Sequence, residues 1–240
     1  MIEFNNISKS FKGINVLTDF NLVCEKGKIQ CLVGKNGAGK STLINISTGL
    51  LSSNSGNVKI LEKEINPDKR KILDKVGFVL ENPLYIEQFT AIEQLQFLGK
   101  IYKIDNLKHR INELIEFFDL PSDKKRISEY STGMKSKVSL ACALIHSPKV
   151  LILDEPFEGL DIGSYDALLQ YLKEYASNGN TILITTHQVD VIIEISDYTA
   201  LIKDGKLAEN LSYLELYEIS KNKFDKEERS PIKRYIRESI

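Results

Sequence analysis

The segment Gly34-Lys35-Asn36-Gly37-Ala38-Gly39-Lys40-Ser41-Thr42 has the phosphate-loop spacing G-x-x-x-x-G-K-[ST] without a gap. It restricts the fold more tightly than any other stretch, because such a loop works only between a buried strand and the start of a helix. Both flanks are present. Ile29-Gln30-Cys31-Leu32-Val33 reads as a buried strand, and Ser41-Thr42-Leu43-Ile44-Asn45-Ile46 as the first turns of a helix. Glycines at 34, 37 and 39 let the backbone curl its N–H groups round a polyanion, and the helix N-terminus adds partial positive charge. A bound nucleotide is predicted, cradled by Gly34 and the loop residues Asn36, Gly37, Ala38 and Gly39. Lys40 would reach the β/γ-phosphates, Ser41 would put a hydroxyl on Mg²⁺, and Thr42 would lie nearer the α- or β-phosphate. An ordinary glycine turn is the competing reading, and the two flanking elements argue against it.

At 240 residues the chain is long enough for one large domain or two small ones, and its 42% hydrophobic content can bury a core. A formal net charge of −1 gives no overall pull towards nucleic acid, and no basic stripe stands out, so none is expected as a partner. Apolar runs such as Val150-Leu151-Ile152-Leu153 have strand length, well short of the roughly 20 residues that span a bilayer. The first residues lack both the basic start and the apolar stretch of a secretory signal, which predicts a cytoplasmic location. Cys24, Cys31 and Cys142 are odd in number and show no C-x-x-C spacing, so buried thiols are expected rather than disulfides or zinc.

Met1 to about Val23 alternates apolar and polar residues, as strands with one covered face do. Short buried strands are expected again at Asn57 to Leu61 and Val76 to Leu80. Beyond Pro83 the period changes: Thr90-Ala91-Ile92-Glu93 forms a capping box before apolar residues at helical spacing, and residues 84–146 read as mostly helical. Strands return at Val150 to Asp154, Thr181 to Thr185 and Tyr198 to Lys203, with helical stretches between them, the pattern of a largely parallel sheet covered by helices. The division expected is therefore one nucleotide-binding domain over residues 1–220, with a core of 1–83 and 147–220 and an inserted helical subdomain over 84–146. Residues 221–240, dense in both charge signs, read as a charged tail, loosely helical or disordered.

The strand Val150 to Asp154 delivers two adjacent carboxylates, Asp154 and Glu155, to its C-terminal end, where ligands gather in open α/β sheets. Asp154 would hold Mg²⁺ and Glu155 would accept a proton from water attacking a γ-phosphate. Two acids after a strand also begin ordinary loops, and the upstream phosphate loop is what favours the catalytic reading.

In order from about residue 2 to 210, the chain resembles the nucleotide-binding subunits of ATP-binding cassette (ABC) transporters. Tyr130-Ser131-Thr132-Gly133-Met134-Lys135 stands where that family carries its L-S-G-G-Q signature, before a helix expected from Lys137 to His146. The resemblance implies a P-loop NTPase (RecA-like) α/β core with a mainly parallel sheet, an N-terminal antiparallel β subdomain and an inserted α-helical subdomain. It implies a head-to-tail dimer, of identical or related subunits, in which Ser131 and Gly133 meet the γ-phosphate bound to the partner. Asp161, in Glu158-Gly159-Leu160-Asp161, would lie at the dimer seam, and His187 would contact the γ-phosphate and orient water. Phe11 would stack on adenine, with Val16 also in the nucleotide-binding set; His109 and His146 read as surface or packing residues.

Departures from the family pattern are informative. Glu81 stands where glutamine is usual, followed by Asn82-Pro83; it is a competent Mg²⁺ ligand beside the reaction and is counted with the catalytic residues. Thr132 and Met134 replace a glycine and the glutamine of the signature. The form resembles drug and antibiotic-peptide export subunits, which implies ATP and Mg²⁺ as cofactors, a separate membrane-spanning permease as partner, and a position on the inner face of the cell membrane. A coupling surface is expected near Glu81 to Phe89, where Leu84-Tyr85-Ile86 offers apolar groups. A soluble single-cassette ATPase in cofactor assembly or regulation is the alternative.

Overall fold

The computed structural model describes residues 1–65, 71–81, 85–224 and 230–240. Two sheets build it. The first opens with a long hairpin, β1 (Ile2–Phe11) and β2 (Ile14–Cys24), whose alternating burial leaves one face covered. After β3 (Ile29–Val33) and α1 (Lys40–Ser47), strands β4 (Ser55–Ile60) and β5 (Lys63–Ile65) complete a sheet of order β2-β1-β4-β5. All its pairings are antiparallel.

The second sheet collects strands from across the chain. To β3 it adds β6 (Val76–Val79), β7 (Val150–Asp154), β8 (Thr181–Thr185), β9 (Tyr198–Lys203) and β10 (Lys206–Ser212), in the order β10-β9-β3-β8-β7-β6. Only the β9–β10 hairpin is antiparallel. Every residue of β3, β7 and β8 is buried, because helices or the other sheet cover both faces. That is why their sequences read as unbroken apolar runs.

Helices α2 (Ala91–Ile101), α3 (Leu107–Phe117) and α4 (Thr132–Leu144) fill the stretch between β6 and β7. The capping box at Thr90 forms in both directions: the Glu93 N–H donates to Thr90 Oγ1 at 3.1 Å, and the Thr90 N–H donates to Glu93 Oε2 at 2.8 Å. Helices α5 (Ile162–Ser177), α6 (Val189–Ile195), α7 (Tyr213–Lys223) and α8 (Pro231–Ser239) follow. Strand periodicity of two splits the parallel sheet between two cores. Cys31, Val33, Leu151, Leu153, Ile182 and Ile184 face helices α4 to α8. Leu32, Val150, Ile152 and Leu183 join α1 and the antiparallel sheet on the other side.

Two expectations are corrected. Helix α4 begins at Thr132 rather than Lys137, because Ser131 caps it: its Oγ accepts the Met134 N–H at 3.3 Å. Residues 230–240 are neither loose nor structureless. Ile232, Tyr235 and Ile236 lie on one face of α8 and are buried. The Tyr235 hydroxyl donates to Glu209 Oε2 at 2.7 Å, and Lys233 pairs with Asp190 on α6. The apolar spacing of only three residues is too short to stand out in so charged a stretch. Among the described residues no helix is long and apolar enough to cross a membrane. All three cysteines are free thiols.

Candidate functional site

The loop between β3 and α1 has the left-handed backbone that its glycines permit, with φ of 83° at Gly37 and 107° at Gly39. Gly39 occupies the N-cap of α1 and so offers no capping side chain. The N–H groups of Lys40, Ser41 and Thr42 consequently have no intrahelical acceptor and no cap, which makes this helix end an anion cradle. Lys40 is 8% exposed, and its Nζ donates to the carbonyls of Gly34 (2.7 Å) and Lys35 (3.2 Å). Among the described residues this buried ammonium is held by two carbonyls of its own loop.

Across the cleft, the ends of β7 and β8 bring three chemical groups together. Asp154 is 6% exposed and accepts a hydrogen bond from Thr185 Oγ1. Glu155 turns out of the strand with φ of 48°. Its Oε1 lies 2.9 Å from His187 Nδ1, and the His187 backbone N–H donates to its Oε2 at 3.4 Å. With Glu155 ionised, Nδ1 carries the proton of that bond.

A cavity of 1120 Å³ joins these parts. Its walls include Val16, Gly34, Asn36, Gly37, Gly39, Lys40, Ser41 and Thr42 on one side, Glu81 at the end of β6, and Asp154, Glu155 and His187 on the other. Asn82, Pro83 and Leu84 lie outside the described residues. Five other positions singled out in the sequence are not on its walls. Ala38 lines an adjoining cavity of 420 Å³ with Val16, Asn36 and Gly37. Phe11 ends β1 half-exposed, with Lys9 Nζ 5.2 Å from its ring centroid.

Ser131 and Asp161 are exposed and Gly133 is half-buried, on an edge that adjoins the cavity through Thr132, Ser136 and Glu158. A Cβ on Gly133 would stand 2.2 Å from the Gly159 carbonyl oxygen, so the start of α4 and the loop before α5 are in backbone contact. Ser136 Oγ donates to the Glu158 carbonyl at 3.2 Å, and Lys137 Nζ lies 3.1 Å from Asp161 Oδ2. The Ser164 backbone N–H, Lys137 and the Ser164 hydroxyl hold the Asp161 carboxyl well below the usual carboxylate range. Asp161 also caps α5 by accepting the Ser164 N–H at 2.9 Å.

The walls add residues to which the sequence gave no role at a nucleotide: Lys35, Lys135 and Ile240, and Tyr85, which it offered for a coupling surface instead. Nothing in their local pattern distinguishes them from surface or packing residues. The other histidines stay outside this cavity. His146 stacks on Tyr102 with centroids 4.0 Å apart, and His109 lies 3.5 Å from Glu113 on α3.

Parallel strands whose carboxyl ends face a glycine-rich loop and a helix N-terminus define a P-loop NTPase. Residues 17–158 match the ABC transporter family. The chain is 32% identical over 219 residues to the bacitracin transport ATP-binding protein BcrA of Enterococcus faecalis, covering 90% of this chain and 71% of that protein. It is 33% identical over 208 residues to the lantibiotic transport ATP-binding protein SrtF of Streptococcus pyogenes, covering 86% and 89%. Among solved structures, the ATP-binding subunit of an ABC transporter superposes with a TM-score of 0.85 at 26% identity over 99% of both chains. The ATP-binding cassette MJ0796, solved as a dimer in a post-hydrolysis state bound to ADP and Pi, gives 0.81 at 25% identity over 89% of this chain and 99% of that one. The chain belongs to the ABC transporter family, as one of its ATPase subunits.

Proposed function

We propose that this chain binds Mg-ATP between two cassettes and uses its hydrolysis to drive a separate membrane-spanning permease that exports an antibiotic peptide, drug or related compound. The observation that carries the reading is the convergence of Lys40, Asp154, Glu155 and His187 on one cavity with the phosphate loop. The bacitracin and lantibiotic transport relatives support an antibiotic peptide as the cargo class.

Lys40 would trade the Gly34 and Lys35 carbonyls for β- and γ-phosphate oxygens. Glu155 would accept the proton of the attacking water. A neutral imidazole has one N–H, so a γ-phosphate that recruits His187 as a donor competes with Glu155 for that proton. Phosphate binding therefore frees the Glu155 carboxylate for water. Hard oxygen donors from Ser41, Glu81 and Asp154 share the cavity and suit Mg²⁺, which supplies charge neutralisation on the phosphates when bound. Ser131 and Gly133 would reach the partner's nucleotide, with Asp161 at the seam.

Beside this site an apolar cavity of 310 Å³, lined by Leu50, Leu73, Phe78, Tyr85, Leu98 and Tyr102, spans the junction of core and helical segment. The permease would dock a cytoplasmic segment there, holding the cassette on the inner face of the membrane. Glu155→Gln tests the reading: it should bind Mg-ATP, lose turnover and accumulate as a dimer on size exclusion. Persistent turnover, or a monomer at saturating Mg-ATP both alone and with its permease, refutes it. Pull-down of a polytopic membrane protein supports transport, and pull-down of a soluble scaffold instead refutes it.

A further inference from the structure

One buried hydroxyl bonds the Asp154 carboxylate and the backbone N–H of Glu155. Thr185 has no solvent exposure and is the register partner of Asp154 in the parallel β7–β8 pair. Its Oγ1 donates to Asp154 Oδ1. The same oxygen accepts the Glu155 N–H at 3.2 Å, and the Thr185 carbonyl accepts that N–H at 3.1 Å. At Glu155 the chain adopts a φ of 48°, a left-handed conformation that a non-glycine residue holds only when its surroundings fix it. Two residues after Thr185, His187 bonds the Glu155 carboxylate.

We propose that Thr185 is a positioning residue of the ATPase reaction, its hydroxyl orienting the Asp154 carboxylate towards the divalent cation and locking the turn that presents Glu155. The proposal rests on the roles given above to Asp154 and Glu155. A threonine hydroxyl has one proton and two lone pairs. The proton is committed to Asp154 Oδ1, which fixes the carboxylate rotation and leaves its second oxygen for the cation. A lone pair shares the Glu155 N–H with the Thr185 carbonyl, so the same atom helps to set the direction in which the chain leaves β7. Thr186, the next residue, does something different: its Oγ1 accepts the Gln188 N–H at 3.1 Å at the start of α6. Hydroxyl identity at Thr185 therefore couples cation affinity to placement of the base. Valine has nearly the same shape but offers neither the donor nor the acceptor.

The full chain carrying Thr185→Val, Thr185→Ser, Thr185→Ala or Glu155→Gln separates the possible outcomes. The measurements are kcat and KM for ATP, the Mg²⁺ concentration for half-maximal turnover, binding of a fluorescent ATP analogue with Mg²⁺ and with EDTA, and the melting temperature. Thr185→Val should lower kcat by about 10- to 100-fold, the range for losing one hydrogen bond to a charged group. Half-saturation by Mg²⁺ should rise about tenfold, while analogue binding in EDTA changes by less than about twofold. Thr185→Ser should recover kcat to within about threefold, since it keeps the hydroxyl. If the valine variant does not fold, the alanine variant replaces it in the same comparison. Wild-type Mg²⁺ dependence and turnover in the valine or alanine variant overturn the proposal. So does a serine variant as impaired as valine, which would assign the effect to the methyl group. Turnover that survives Glu155→Gln refutes the reading of the acid pair itself, and is distinguishable because it does not involve Thr185.

Discussion

Replacing Gly133 by alanine would place a methyl carbon 2.2 Å from the Gly159 carbonyl oxygen, about 1.2 Å inside the 3.4 Å where ordinary contact begins. The obstacle is backbone, so no flexible side-chain end can yield. Position 133 lies in the first turn of α4, where alanine gains at most about 1 kcal/mol over glycine in helix propensity. Overpacking of a close contact costs about 1–3 kcal/mol. The clash therefore wins or breaks even, and the folded chain should lose between about 0 and 3 kcal/mol. Function should suffer more than stability. To relieve the clash, α4 must separate from the segment 158–161, stretching the bonds from Ser136 to Glu158 and from Lys137 to Asp161. A displacement of about 1 Å in a positioning element can cost on the order of 100-fold in rate. We expect Gly133→Ala to bind ATP within about twofold of the parent as a monomer, yet hydrolyse it about 100-fold more slowly. The assays are phosphate release, fluorescent-nucleotide titration and thermal melting. Gly163→Ala is the control, because a Cβ there meets nothing closer than Asp161 Oδ1 at 3.6 Å. Wild-type turnover in Gly133→Ala, or an equal loss in Gly163→Ala, would refute the reasoning.

Lys40→Ala removes the ammonium that holds the Gly34 and Lys35 carbonyls, and ATP affinity should fall by at least about 10- to 100-fold in a direct titration; unchanged affinity would dismiss the phosphate-loop assignment. Glu81→Gln keeps an oxygen donor at an exposed position on the cavity wall, so turnover should stay within about tenfold of the parent. A larger collapse would give Glu81 a role that an amide cannot fill. Burial pushes the Cys24 and Cys31 thiols up to about 12, which leaves them protonated and unreactive at pH 8.5. Iodoacetamide should modify neither until the chain unfolds, and rapid labelling of the native protein would show that the core opens there.

Local pattern made much of this protein legible. The phosphate loop, the strand ending in Asp154 and Glu155, and the Thr90 capping box each depend on residues within a few positions of one another, whose spacing and conformational preferences act directly. The apolar runs at 29–33, 150–154 and 181–185 revealed a sheet buried on both faces for the same reason. Signature residues were placed in the chain, but the start of α4 was missed because the serine that carries the family resemblance is also the helix cap.

What packing decided lies between residues distant in sequence. Asp154 and Thr185 meet because β7 and β8 are paired in register, although a threonine near a strand end looks ordinary in isolation. Gly133 touches Gly159 through backbone alone, a contact that residue identity permits but does not announce. Helix α8 docks because α6, α7 and β10 together present a face for three apolar side chains. Spacing along the chain names the chemical groups, while relative strand position and helix packing set which of them share a cavity, because contact energies act through space and depend on the whole fold being formed.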